Sequence, residues 1–101
     1  MEMREIRAGM PARSLAGHDK DAYYVVCRVE GDWVWLTDGR LKPLERPKKK
    51  NKKHIQIQHK IPENLQEKLQ RGEAFRNEDI KRAIKMLKKQ WEESDVKSRC
   101  Y

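Results

Sequence analysis

"AYYVVCRVEGDWVWLTDG", residues 22–39, is the stretch that decides the expected fold of this chain. Residues 22–30 and 32–38 are rich in aromatic and β-branched side chains, and Gly31 lies in the short break between them. Two such runs around a tight turn predict a β-hairpin. The first run is apolar on both of its alternating faces, which is typical of a central strand. The second run places three side chains on one face: Trp33, Trp35 and Thr37.

Two weaker strand patterns flank the hairpin. Residues 12–17 precede it, and residues 54–58 follow it with a clean alternation of apolar and polar side chains. Asp38-Gly39 indicates a further turn after the second hairpin strand. Four or five short strands within residues 1–60 predict a small antiparallel β-barrel.

The second half of the chain has helical periodicity. Pro62 can precede a helix that begins at Glu63, or serve as its first residue, where its missing N–H is no loss, and Gly72 suits a helix end. Asn77 suits an N-cap, because acidic residues follow it in the first turn. We therefore expect two helices, at about 63–71 and 78–93. The second has one apolar stripe, formed by Ile80, Ala83, Ile84, Leu87 and Trp91.

The opposite face of the second predicted helix is basic. Its cations are Lys81, Arg82, Lys85, Lys88 and Lys89. A solvated amphipathic helix is the commoner explanation, and a contact with a polyanion is the alternative. A membrane-surface helix is a third possibility, but the apolar stripe is explained more simply by a core. The tail from Ser94 is expected to be frayed.

The net charge of +8 is unevenly distributed along the chain. Residues 1–40 have six basic and seven acidic side chains, and residues 61–101 have ten and eight. Residues 41–60 have eight basic side chains and one acidic one, which is a net charge of +7 in one fifth of the chain. A block of this kind repels itself and is usually retained to meet an anion.

Several function classes find no support in the composition. Cys27 and Cys100 make no disulfide framework, so we expect two reduced thiols in a cytoplasmic protein. No apolar run approaches the length that spans a bilayer, and no charged-then-apolar start is visible. The spacing of His18, His54 and His59 is not that of a metal site, so no metal or cofactor is expected. No nucleophile–base pair or phosphate-binding glycine loop is present either, and we expect no enzyme.

The chain resembles the KOW-domain proteins. The segments that carry the resemblance are "SLAGHDKDAYYVV" (14–26), "VEGDWVWLTDGRLKPLERPKKKNKKHI" (29–55) and "ENLQEKLQRGEAFRNEDIKRAIKML" (63–87). In that pattern Ala16-Gly17 opens a turn, Asp19-Lys20 follows, and a hairpin leads into a short basic strand and track. The resemblance is to short bacterial KOW-domain RNA-binding proteins, which are similar to the eukaryote-type ribosomal proteins of the L-fourteen-e class. It covers nearly the whole chain and implies an SH3-like β-barrel that binds RNA, usually ribosomal RNA.

Asp21 departs from the KOW pattern, in which glycine follows the Asp-Lys pair. A glycine there commonly supplies a backbone conformation with positive φ. Aspartate tolerates that conformation better than most residues, so the turn is expected to survive at some cost. The substitution also adds a negative charge near the surface that the resemblance assigns to RNA.

The basic track, residues 40–54, is the strongest functional signal. Each Lys or Arg that neutralises a phosphate releases counterions, and lysine needs no fixed geometry to do so. Pro43 and Pro47 are expected to hold the segment extended. A solubilising linker is the alternative, but the run is short and lies between two ordered halves. The residues expected to contact RNA are Arg13, His18, Lys20, Arg40, Lys42, Arg46, Lys48, Lys49, Lys50, Lys52, Lys53 and His54.

Trp33 and Trp35 have two interpretations. Exposed aromatic rings on a strand can stack unpaired bases. The commoner case is that such rings cover the apolar underside of the sheet or receive the helices.

Taken together, these patterns predict a mainly β plus α chain, with an SH3-like (KOW) antiparallel barrel at 1–60, two helices within 61–93 and a frayed tail at 94–101. We expect a monomeric, cytoplasmic RNA-binding protein that associates with the ribosome and recognises ribosomal RNA by backbone and shape. No membrane partner is expected. The alternative is a protein-interaction module that docks on a transcription or translation component, since SH3-like barrels do both.

Overall fold

The predicted hairpin forms the centre of a five-stranded antiparallel sheet. The structure is a computed structural model that describes residues 5–99, with side chains described as far as Gln90. The strands are β1 (Pro11–Ser14), β2 (Tyr23–Glu30), β3 (Trp33–Thr37), β4 (Lys48–Asn51) and β5 (Ile55–Ile57). A 3-10 helix, Lys52–His54, joins β4 to β5, and helices α1 (Glu63–Arg71) and α2 (Asn77–Arg99) follow.

The strands predicted from the residue pattern are confirmed, with bounds that differ by a few residues. His54 ends the 3-10 helix and does not begin the fifth strand, which starts at Ile55. The larger difference concerns the basic track. Its prolines predicted an extended segment without a pairing partner, and the structure shows that three of its lysines lie in β4 and pair with β3.

The sheet is strongly curled. Its strand order, β4-β3-β2-β1-β5, puts β4 and β5 at opposite edges, which in a flat sheet would lie about 19 Å apart. Asn51 and Ile55, the facing ends of these strands, are joined by three residues and can be at most about 14 Å apart. The two edges must therefore approach each other at this end. The pairings among the described strands do not close the sheet into a barrel.

Strand β2 is covered on both faces, as its apolar pattern predicted. On the inner face, Tyr24 and Val26 pack with Ala12, Val34, Leu36 and Ile55. On the outer face, Val25 packs with Leu65, Ile80, Ala83 and Ile84 of the helices. Each of these side chains is nearly or fully buried, and burial of one side chain of this size contributes roughly 1.5–3 kcal/mol.

The helices begin and end close to the predicted residues, with one correction. Helix α1 has the predicted bounds, and the Gly72 N–H donates to the Leu69 carbonyl at its end. Asn77 was predicted as the N-cap of α2, and this is wrong. The Ile80 N–H donates to the Arg76 carbonyl, so Arg76 is the N-cap, and the Asp79 carboxylate accepts the Arg76 N–H at 2.9 Å.

The side chain of Asn77 has a tertiary role instead. Its Oδ1 accepts the Leu44 N–H at 2.9 Å, and its Nδ2 donates to the Glu45 carboxylate at 3.0 Å. These bonds fasten the loop between β3 and β4 to the start of α2. The apolar stripe of α2 is confirmed at Ile80, Ala83, Ile84 and Leu87.

Some predictions fall on the end of the chain. Helix α2 extends beyond the predicted end at 93. The expected packing of Trp91 and the thiol of Cys100 lie outside the described side chains, and the frayed tail stays a prediction.

Candidate nucleic-acid interface

A partly buried carboxylate binds two lysines of the basic track. Asp19, in the turn between β1 and β2, accepts hydrogen bonds from Lys48 Nζ and Lys50 Nζ, each at 2.8 Å. It also accepts from the Tyr24 hydroxyl at 2.9 Å and from Ser14 Oγ at 3.0 Å. These five residues are called the Asp19 cluster below. They tie edge strand β4 to the β1–β2 turn across the curled sheet.

The strand alternation of β4 explains why only some of its lysines join this cluster. Lys48 lies opposite Leu36 and Lys50 opposite Val34, and both partners are fully buried on the inner face. Lys50 has a side chain only 10% exposed and donates also to Ser14 Oγ and the Ala16 carbonyl, at 2.6 and 2.8 Å. All three of its N–H donors therefore have partners within the protein.

The contacts within the Asp19 cluster set the protonation states of Asp19 and Tyr24. Burial alone would raise the pKa of Asp19, but the hydrogen bonds from Lys48, Lys50, Tyr24 and Ser14 outweigh it and hold the pKa well below its ordinary value. Burial, together with the hydrogen bond to the Asp19 carboxylate and its charge, raises the pKa of the Tyr24 hydroxyl. Asp19 is thus ionised and Tyr24 protonated at neutral pH, as the hydrogen bonds require.

On the outer face of the sheet, cationic side chains lie over the tryptophan rings of β3. Lys49 lies opposite Trp35, and its Nζ is 4.7 Å from the Trp33 ring centre and 5.5 Å from that of Trp35. The Arg28 guanidinium lies 4.7 Å from the Trp35 ring centre. Trp33 is 43% exposed. These four residues are called the cation–aromatic face below.

The two tryptophans do not receive the helices. The cluster between sheet and helices is centred on Val25, with Tyr23 and Leu44 at its margin, and neither tryptophan belongs to it. Trp35 is half-buried and lines a shallow depression with Leu44 and Pro47. Packing under α1 and α2, the commoner expectation for these rings, is therefore not what the structure shows.

Arg28 joins this face because of a β-bulge. The pairing of β2 with β3 shifts between Val26 and Arg28, so that Arg28 and not Cys27 lies opposite Trp35. Arg28 is also paired with Glu30 at 2.7 Å, but both side chains are more than half exposed. An exposed pair of this kind is worth under about 1 kcal/mol and exchanges easily. Strict alternation along the sequence placed Arg28 on the other face, which is why sequence reasoning missed it.

The remaining predicted contact residues are mostly on the surface. Arg40, Lys42 and Arg46 are exposed in the loop between β3 and β4. Lys53 and His54 are exposed in the 3-10 helix, where Lys52 is half-buried, and His18 and Lys20 are exposed in the β1–β2 turn. The Asp19 cluster brings this turn, and with it His18 and Lys20, next to β4.

The β1–β2 turn accommodates aspartate as expected. Asp21 has a φ of 72°, and its N–H donates to the Ser14 carbonyl at 2.8 Å. Its carboxylate pairs with Arg13 at 2.7 Å, which reduces the negative charge that it adds to this surface.

A scan against protein-family models and a search of curated proteins find no match to this chain. Among residues 5–99, no helix combines the length and apolarity needed to cross a membrane. Within the same range, no group of three or more His, Cys, Asp and Glu side chains is arranged to hold a metal ion.

Proposed function

We propose that this chain is a cytoplasmic RNA-binding protein of the KOW type that associates with the ribosome. The observation that carries the proposal is the cation–aromatic face, in which two tryptophans and two cations lie together on one exposed sheet surface. Aromatic rings beside mobile cations suit a nucleic-acid strand, because the rings stack bases while the cations neutralise phosphates. The curled sheet with its short β4–β5 link supports the finer proposal of an SH3-like barrel.

In this proposal, RNA contacts the exposed cations of the track and does not contact the two lysines that are bonded within the protein. Lys48 and Lys50 are bonded to Asp19, so we omit them from the proposed contact set. Like Arg40 at the start of the track, five further track cations have no carboxylate partner among the described residues: Lys42, Arg46, Lys49, Lys52 and Lys53. Lysine heads carry little base information, so recognition is mainly of backbone and shape.

Unpaired bases are the preferred ligand of the two tryptophans. Lys49 covers the rings in the free protein, but an exposed cation–π contact is worth only about 0.5–1 kcal/mol. Stacking of one base contributes roughly 1–3 kcal/mol, so a base displaces Lys49, whose ammonium group then reaches the neighbouring phosphate. Bases inside a duplex do not offer their faces, which favours loops, bulges and ends of ribosomal RNA.

The test is a charge reversal that spares the internal lysines. Lys49→Glu/Lys52→Glu/Lys53→Glu is compared with Lys60→Glu/Arg71→Glu/Arg82→Glu, which makes the same change in net charge at positions away from β4. We expect the first triple variant to lose co-sedimentation with ribosomes and binding to purified ribosomal RNA, and the control to keep both. Circular dichroism checks that each variant folds.

Two results would overturn the proposal. One is a wild-type protein that ignores ribosomal RNA in dilute buffer. The other is that both triple variants co-sediment with ribosomes equally well. This result would indicate that the chain contacts the ribosome through a protein surface.

A further inference from the structure

A second cationic surface lies between the β3–β4 loop and α2. It is a groove of about 860 Å³ lined by four cations, which are Arg40, Lys81, Lys85 and Lys88. Its apolar lining includes Tyr23, Leu41 and Ile84. Leu41 is 86% exposed, the highest value among the exposed large apolar side chains of the described residues. Of these four cations, only Arg40 was among the residues expected to contact RNA, and contact with a polyanion was the less common of the interpretations given to the basic face of the second helix.

The three lysines form a row on one face of α2. Residues 81, 85 and 88 are separated by four and three positions, so their side chains project side by side along about 10 Å of helix. All three are exposed, and none forms an ion pair with the described residues. A row of this length faces more than one phosphate of a strand.

The acidic residues of the groove do not cancel this charge. Asp21 is paired with Arg13 at 2.7 Å. Asp38 accepts the N–H groups of Arg40 and Lys42, each at 2.8 Å, which fixes the loop that presents Arg40. Because the Asp21 carboxylate is paired with Arg13, the four cations of the groove face one carboxylate that has no ion pair among the described residues, that of Asp38.

The β3–β4 loop contributes to both surfaces, since Arg40 and Leu41 line the groove and Leu44 and Pro47 line the depression beside Trp35. Lys42 and Arg46 are exposed along the chain between the two surfaces, and Asn77 fastens this loop to α2. We infer that the groove is a second binding site for the sugar–phosphate backbone of the same RNA strand, with Lys81, Lys85, Lys88 and Arg40 on its phosphates. The apolar lining of the groove suits contact with a ribose or with the face of a base. This inference rests on the proposed function.

The experiment uses two double variants of α2 that differ only in the face they change. Lys81→Glu/Lys88→Glu reverses groove residues, and Arg82→Glu/Lys89→Glu reverses exposed residues outside the groove at the same spacing of seven. Binding of a labelled single-stranded RNA, long enough to span both surfaces, is measured by fluorescence anisotropy over a salt series. The groove variant should bind at least roughly 20-fold more weakly at 0.1 M salt, with a salt slope shallower by about 1.4. The control should stay close to wild type.

Each other outcome overturns one proposal or both. If the wild type binds RNA and the groove variant binds equally well, or if both variants weaken equally, the groove proposal fails and RNA binding stands. If the wild type does not bind RNA, both fail. If labelled poly-glutamate binds in a manner that depends on Lys81 and Lys88 while RNA binding is unchanged, the groove belongs to an acidic protein segment. Should the reversed variant unfold, Lys81→Gln/Lys88→Gln against Arg82→Gln/Lys89→Gln gives the same comparison without new acids.

Discussion

Lys49 and Lys50 are neighbours in the chain, but their ammonium groups lie in different environments. Lys50 is almost buried and donates three hydrogen bonds within the protein, whereas Lys49 lies over exposed indole rings. A lysine run in a sequence reveals the charge and not this division. The division depends on β4 being a strand and on Asp19, an acceptor about thirty residues away in the chain.

Asp19→Asn tests the structural half of this division. Asparagine keeps the shape but leaves the two lysine charges without a carboxylate. Loss of one partner costs about 3 kcal/mol in a buried ion pair, and a smaller cost is expected here because the Lys48 side chain is 33% exposed. Asp21→Asn is the matched control. It removes an exposed pair, worth under about 1 kcal/mol, at a positive φ that asparagine tolerates. Urea unfolding should show the first midpoint far lower than the second, and equal midpoints would contradict a structural role for the cluster.

Acid should destabilise the wild type through the same carboxylate. The pKa of Asp19 in the fold lies below its ordinary value of 3.8, so the unfolded chain takes up a proton first as the pH falls. The stabilisation is present above about pH 4 and is lost as the pH drops toward the folded-state pKa. Asp79, whose pKa is also lowered because bonds from Arg76 and Lys68 outweigh its burial, acts in the same direction. Between pH 5 and 2 the unfolding free energy of Asp19→Asn should therefore fall less than that of the wild type.

At the scale of the elements, the residue pattern predicted which strands and helices form but not how they pack against each other. The hairpin, its central strand and the apolar stripe of α2 follow from side-chain periodicity, which is local. The bulge before Arg28 and the tertiary use of Asn77 depend on partners elsewhere in the fold. They decide which cations face outward and how the β3–β4 loop sits on α2.

The turn at Gly39 packs closely against the start of α2. A Cβ there would lie 2.5 Å from the Asn77 carbonyl oxygen, at a φ of 76°. Gly39→Ala should therefore cost about 3 kcal/mol, since backbone strain is joined by a clash that only a shift of α2 relieves. Gly31→Ala is the control, because Gly31 also has a positive φ but no atom within 4 Å of the added methyl, and it should cost about 1 kcal/mol. Equal costs in urea unfolding would show that the contact with α2 is unimportant.

For the whole molecule, the uneven charge of the sequence led to the region proposed to bind RNA, but it did not reveal which of the cations there are exposed. The track has a net charge of +7, but Lys48 and Lys50 belong to the scaffold that curls the sheet. The row on α2 looked like an ordinary solvated face in the sequence. Its placement beside the β3–β4 loop puts it in one groove with Arg40 of the track.

The salt dependence of RNA binding measures how many of these cations take part. Five track cations alone predict a slope of log K against log salt of roughly −3.5 on single strands. Addition of the four groove cations brings the expected slope to roughly −6, since each contacted phosphate contributes about −0.7. We expect the steeper value for wild type, measured by anisotropy on a strand that spans both surfaces. A strand too short to reach the groove should return the shallower value, so identical slopes near −3.5 on both strands would confine binding to the track.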